Sequence, residues 1–205
     1  MAMVDKWNER YASSQLVWSQ AANKDLITQV SGLLPARALD LGTGEGRNAI
    51  WLAQQGWQVT AVDFSHAGIE KGQQLAINSS VEVNWIVSDA CQYEDHDGFD
   101  LVVVLYLHTA MDERDLWLPK AIQMVRPGGS FIYIGHDPEN IQHGVGGPKN
   151  PEVLPDVREL TRHLSNFDIV QAGIVARATA TEPGHGTSFD SSHDSAKPSV
   201  LALDC

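Results

Sequence analysis

The chain has 205 residues, a formal net charge of −12, and 43% hydrophobic against 20% charged residues. That length suits one well-buried α/β core with a small cover rather than two domains, and the acidity counts against broad nucleic-acid binding, which relies on Lys and Arg to neutralise phosphates. Cys91 and Cys205 are too few for a disulfide framework, and no signal core or membrane-length apolar run is present, so a cytoplasmic setting is expected.

Residues 5–19 read as a short helix and an irregular segment carrying Trp7, Tyr11 and Trp18. Such aromatics either pack on the core or cover a ligand, and spacing leaves both open. Residues 23–34 follow as a helix on the spacing of Leu26, Ile27, Val30, Leu33 and Leu34, stopped by Pro35.

The run ARALDLGTGEGRN, residues 36–48, then ends a buried strand at Leu41, turns through Gly42, Gly44 and Gly46, and opens a helix. Strand, glycine turn and helix make the first half of a nucleotide-binding crossover, and glycine alone lets the backbone turn this tightly beside a ligand. Arg47 occupies the place of the third glycine of a dinucleotide fingerprint, and no P-loop Gly-Lys-Ser/Thr is present. Asp40, facing the turn, repels a pyrophosphate and suits a cationic amino group.

Gly56 caps that helix, and QVTAVDF (58–64) is a second buried strand ending in Asp63. A carboxylate there can accept from both hydroxyls of a ribose, and Phe64 offers a face for an adenine. Ser65 caps the next helix, 66–77. A third strand, 83–89, ends in Asp89, so three strand ends carry acids on the rim where open parallel sheets bind ligands. FDLVVVLYL (99–107) is the apolar central strand, ending at Tyr106 and His108. His108 is a candidate base or simply a satisfied polar residue. Residues 112–125 form an amphipathic helix using Leu116, Ile122 and Val125, which Pro119 should kink or break. An RPGG turn leads into strand 130–136.

Residues 137–155 are glycine- and proline-rich and too long for an ordinary connection, so substrate contacts are sought among His136, Asp137, Asn140, His143 and Val145. A helix over 155–164 and a strand over 167–179 precede a polar stretch, 181–198, expected to be a mobile loop. Strand 199–205 closes the sheet. His185 and His193 are two histidines, too few to argue for a metal site, and no metal is expected.

The D-x-G-x-G-x-G run at Asp40–Gly46, Asp63 and the Pro127–Gly129 turn together resemble the class I S-adenosylmethionine-dependent methyltransferases. Within them, W-N-E-R-Y…V-W-x-x-x-x-N-x-x-L and the Gly-His-Asp…Gly-Val-Gly-Gly-Pro loop resemble the small-molecule tellurite- and thiopurine-modifying type. Ala22 stands where that subgroup usually has proline. The resemblance implies a Rossmann-like α/β fold, a seven-stranded mostly parallel sheet with helices on both faces and an antiparallel last strand. It implies one domain, 1–205, made of a lid (1–35), a cofactor-binding core (36–180), the mobile loop and the last strand.

The same resemblance implies S-adenosyl-L-methionine as cofactor, S-adenosyl-L-homocysteine as product, and a small-molecule acceptor. The implied cofactor set is Trp18, Asp40, Gly42, Thr43, Gly44, Gly46, Arg47, Asn48, Asp63, Phe64, Ser65, Asp89, Ala90 and Leu105. Asp89 would accept from the adenine amine while the Ala90 amide donates to the ring. Tyr106, His108, His136 and Asp137 are the candidates for chemistry. No sure base is visible, which favours a thiol, a chalcogen oxyanion or a heterocyclic acceptor. An NAD(P)-dependent oxidoreductase and a cofactor-binding module without catalysis are the alternatives. The protein is expected as a monomer or homodimer, with neither nucleic acid nor membrane as partner.

Overall fold

The computed structural model describes residues 3–12, 15–144, 146–164, 167–174, 177–178, 195–196 and 198–204, the last three stretches as backbone only. Five parallel strands form its centre: β1 (Arg37–Leu41), β2 (Gln58–Asp63), β3 (Asn84–Val87), β4 (Phe99–Leu105) and β5 (Val125–His136). They lie in the order β3-β2-β1-β4-β5. The strand Pro198–Asp204 pairs antiparallel with β5 and with β6 (Asp168–Ile174).

Alternation along the strands explains why their sequences are apolar throughout. Leu39, Leu41, Val102, Val104, Phe131 and Tyr133 pack on one face with Trp117 and Leu118. Ala38, Leu101, Val103, Leu105, Ile132 and Ile134 pack on the other with Leu26, Ala49 and Leu52. A strand covered on both sides has no polar face to show.

The helices are α1 (Met3–Tyr11), α2 (Lys24–Val30), α3 (Arg47–Gln54), α4 (His66–Asn78), α5 (Met111–Gln123), the single turn α6 (Asn140–His143) and α7 (Val157–Thr161). Several depart from the expected bounds. Asn23 caps α2 instead of joining it, taking the Asp25 and Leu26 amides on its side chain. That helix stops at Val30, where Ser31 turns extended and Gly32 takes φ 95°, leaving Leu34 exposed. Strand β3 is shorter than 83–89 because it is an edge strand, half-exposed along its length.

Helix α5 runs unbroken through Pro119. Its buried face is Arg114, Trp117, Leu118, Ala121 and Ile122, and Leu116, expected inside, is exposed. Burial of that face outweighs one missing backbone hydrogen bond.

The chain steps outward from β1 to β2 and β3, then returns to β4 beside β1. The loops after β1 and β4 therefore face each other across the switch point, where open α/β sheets bind ligands. No described helix is long and apolar enough to cross a membrane. Val145, His185 and His193 lie outside the described residues, as does most of 181–198.

Candidate functional site

The glycine loop connects β1 to α3 and has φ of 79°, 58° and 80° at Gly42, Gly44 and Gly46, a region L-residues rarely enter. Their missing side chains also serve neighbours within the protein. A Cβ on Gly42 would press on Leu107 at 3.2 Å, one on Gly44 would stand 2.7 Å from Tyr11 Oη, and one on Gly46 would overlap the Trp85 ring. The Gly44 amide donates to Asp63 Oδ2 at 2.8 Å, and the Ser65 amide donates to Oδ1 at 2.8 Å. The end of β2 is thus tied to the loop through one carboxylate. A carboxylate has about four lone-pair sites, so two remain for a diol.

Burial raises the Asp63 pKa, and the Ser65 and Gly44 amides oppose the rise. Asp40 lies deeper, 1% exposed. Burial chiefly, against the Thr43 hydroxyl that donates to Oδ2 at 2.7 Å, lifts its pKa to about 6. It is still an anion at pH 7. Asn48, in the first turn of α3, accepts the Asn23 amide at 3.0 Å, and Asn23 Nδ2 reaches Tyr106 Oη at 3.4 Å. Arg47 donates to Ser19 Oγ at 3.3 Å. Phe64 is half-buried just past β2, and Leu105 is buried at the end of β4.

Two members of the expected set carry structural duties. Ser65 is fully buried, accepts from the Gly68 amide as the α4 cap and donates to Asn8 Oδ1 at 2.7 Å. Asp89 is exposed beyond β3, its Oδ1 taking the Cys91 amide at 2.7 Å in a turn, with Ala90 half-buried inside that turn.

Over the loop lies the amino-terminal segment. Trp7 stacks on Tyr11 with centroids 5.3 Å apart, Trp18 Nε1 donates to Tyr11 Oη at 3.4 Å, and Arg10 sits over both tryptophan rings. Trp18 is 40% exposed and Tyr11 5%, so the cluster runs from the rim into the core. Tyr11 Oη stands against Gly44, so a ligand approaching the loop from that side must displace the tyrosine. Sequence reasoning missed Glu45, a residue of the loop itself that is 3% exposed and receives the Val17 and Trp18 amides. A charged residue between glycines was the available signal.

Across the switch point, Tyr106, His108 and His136 gather at the ends of β4 and β5. Ring centroids are 5.0 Å apart for Tyr106 and His136 and 5.3 Å for the two imidazoles. Tyr106 holds φ 57°, a strained value for a non-glycine residue, fixed by its amide donating to Ile134 O at 2.7 Å. The His136 amide donates to His108 Nε2 at 3.3 Å, so the neutral His108 ring carries its proton on Nδ1. Burial, helped by His136 and Arg114, drops its pKa to about 3. A ring held this way is a poor proton acceptor.

Buried Asp137 takes the Glu139 amide at 2.9 Å and Asn140 Nδ2 donates to Gly146 O at 3.0 Å, folding the following loop back on itself. A Cβ on Gly147 would meet the His136 ring at 2.6 Å, so that loop lies against the cluster. His143 faces outward, exposed.

Known proteins share this arrangement to different extents. At 29% identity over 94 residues, 46% of this chain aligns with 40% of a ubiquinone biosynthesis O-methyltransferase from Rickettsia canadensis. The chain thus spans about two fifths of the length of such relatives. A 2-heptyl-1-hydroxyquinolin-4(1H)-one methyltransferase from Mycobacteroides abscessus is 23% identical over 77% of this chain and 71% of its own. In three dimensions, the N-methyltransferase NodS from Bradyrhizobium japonicum WM9 superposes with a TM-score of 0.72 at 16% identity, covering 98% of this chain and 97% of that one. Residues 38–129, which carry the glycine loop, Asp63 and the ends of β2 and β4, match the family described as a methyltransferase domain.

Proposed function

We propose that this protein is an S-adenosylmethionine-dependent methyltransferase acting on a small molecule. The observation that carries the reading is the glycine loop at the switch point, with the Asp40 carboxylate just before it and the Asp63 carboxylate bonded to its middle at Gly44. The cradle fits the cofactor: Asp63 keeps acceptor capacity for ribose hydroxyls, and buried Asp40 suits a cationic amino group. Trp18, Thr43, Arg47, Asn48, Phe64, Asp89, Ala90 and Leu105 complete the binding set. When bound, the cofactor supplies a methyl group on a sulfonium leaving group.

The chain's own work is positioning and exclusion of water. Tyr106, His108, His136 and Asp137 line the acceptor side. A neutral His108 whose Nε2 is already engaged supports an acceptor that needs no strong base: a thiol, a chalcogen oxyanion or a heterocycle. The relatives named above include O- and N-methyltransferases, so they leave the acceptor atom open. The finer placement, in the tellurite- and thiopurine-type subgroup, is supported by the tryptophan cover and the Gly-His-Asp loop. Pairing of β5 and β6 with Pro198–Asp204 supports the seven-stranded version of the fold.

Calorimetric titration with S-adenosylhomocysteine, with NAD as the competing ligand, tests the cofactor. A panel of thiols, heterocycles, phenols and amines with labelled donor tests the acceptor. Binding of NAD alone would overturn the first part, and turnover of amines or phenols alone would overturn the second.

A further inference from the structure

The carboxylate of Glu45 is the most heavily engaged group of the glycine loop, yet it faces away from the strand-end acids and toward the amino-terminal segment. Its Oε2 accepts from the Val17 amide at 3.0 Å and the Trp18 amide at 3.2 Å, and Oε1 also lies 3.2 Å from the Val17 amide. Two successive amides converging on one anion form a small anion-binding nest. Behind the carboxylate, Lys71 Nζ on α4 donates to Oε1 at 3.1 Å and to Gln15 O at 2.8 Å. One ammonium therefore holds both the loop and the segment that crosses it. The pair is well shielded, with side-chain exposures of 4% for Glu45 and 23% for Lys71.

We propose that Glu45 is a positioning residue: with Lys71 it latches residues 15–18 across the glycine loop and thereby sets how long the cofactor stays bound. The inference rests on the reading of that loop as the cofactor site. The latched residues are bonded to Glu45, a member of the glycine loop assigned to the cofactor under the proposed function. The latch clamps the backbone of Trp18, whose indole reaches Tyr11, and Tyr11 stands against Gly44. Release of the Val17 and Trp18 amides frees the Trp18 end of the aromatic cover, while Asn8 keeps α1 with Trp7 and Tyr11 tied to Ser65 and Ala67. A carboxylate is required because only a full negative charge satisfies two amides and an ammonium together. A merely structural staple would hold the fold without changing ligand exchange.

The test is stopped-flow dissociation of S-adenosylhomocysteine from wild type, Glu45→Gln, Lys71→Met and Lys71→Arg, with hydrogen exchange of the Val17 and Trp18 amides read in the ligand-free proteins. Glu45→Gln should raise the off-rate about tenfold, since a charge-assisted bond becomes a neutral one. It should also expose both amides to exchange while the association rate changes less than about twofold. Lys71→Met should give a smaller rise, and Lys71→Arg should restore the wild-type rate. Should Glu45→Gln fail to fold, the two Lys71 variants carry the same comparison. Unchanged off-rates in folded variants, beside a wild type that binds, overturn the latch alone. A wild type that does not bind S-adenosylhomocysteine overturns the cofactor reading, and the latch falls with it.

Discussion

The wall built on the ends of β1 and β2 and the wall built on the ends of β4 and β5 face each other but are assembled differently. The first is tied at the strand ends themselves: Thr43 Oγ1 donates to Asp40, and Asp63 takes the Ser65 amide beside it and the Gly44 amide from the loop after β1. The second leans on helix side chains, from α5 directly after β4 and from α7 further along the chain. Arg114 of α5 is 1% exposed, donates to Thr109 O in the loop after β4 and pairs with Glu159 of α7 at 2.7 Å. Trp117 Nε1 donates to Thr109 Oγ1 at 2.9 Å. Bonds between strand-end acids and their loops thus fix the first wall, and an ion pair between α5 and α7 supports the second.

The largest effect should come from breaking that helix support. Arg114→Ala removes a fully buried side chain and leaves half-buried Glu159 without its partner, and should lower stability by about 2–4 kcal/mol in urea denaturation. Affinity for S-adenosylhomocysteine, measured in the cold where the variant is folded, should stay within about threefold, while methyl transfer falls further. An equal fall in both would mean the two walls are not separable.

On the first wall, Gly46→Ala should cost about 2–4 kcal/mol, combining a left-handed φ with overlap on Trp85. Gly128 has the same φ of 80° and open space around it, so Gly128→Ala should cost only about 1–2 kcal/mol. The excess at Gly46 should shrink in the double variant with Trp85→Leu, read as a coupling in thermal melts.

The same contrast decides what could be read from the chain. The glycine spacing, both strand-end acids, the Ser65 cap and the apolar central strands were legible because each is a local requirement. Leu116 and Leu34 were misplaced because periodicity gives a helical face but not what covers it, and a buried Arg114 took the place a leucine seemed to claim. Glu45 showed only as a charge between glycines, with its role hidden for a related reason. Its partners at Val17 and Trp18 meet it only once the amino terminus has folded over the loop. Asp89 and Ser65 show that a residue proposed for a ligand also serves the backbone, each accepting an amide in its turn or cap.

Opposite pKa shifts give the comparison a pH signature. Asp40 is raised from 3.8 to about 6 by burial, so the folded protein holds its proton longer than the unfolded chain does. The stability linked to it is present below pH 3.8 and lost as pH rises through 6, an effect of roughly 2–3 kcal/mol at pH 7.5. Asp40→Asn should therefore melt higher than wild type at pH 7.5, lose that advantage near pH 4, and bind S-adenosylhomocysteine more weakly. A variant less stable than wild type at pH 7.5 would show that the Thr43 bond outweighs the burial of the charge.

His108 runs the other way, and with a smaller effect at accessible pH. Burial lowers it from 6.5 to about 3, so the unfolded chain takes up the proton first as pH falls. Its linked stability is present above pH 6.5 and lost progressively toward pH 3, amounting to about 2 kcal/mol at pH 5. His108→Asn, which cannot be protonated there, should flatten the loss of urea stability between pH 7 and 5. Because the wild-type ring stays neutral throughout that range, the pH profile of methyl transfer should show no inflection near 6.5 that the variant removes. Such an inflection would make His108 a proton acceptor after all. The second wall would then be a catalytic surface and not only a shaped one, with its Nε2 released from the His136 amide when the acceptor binds.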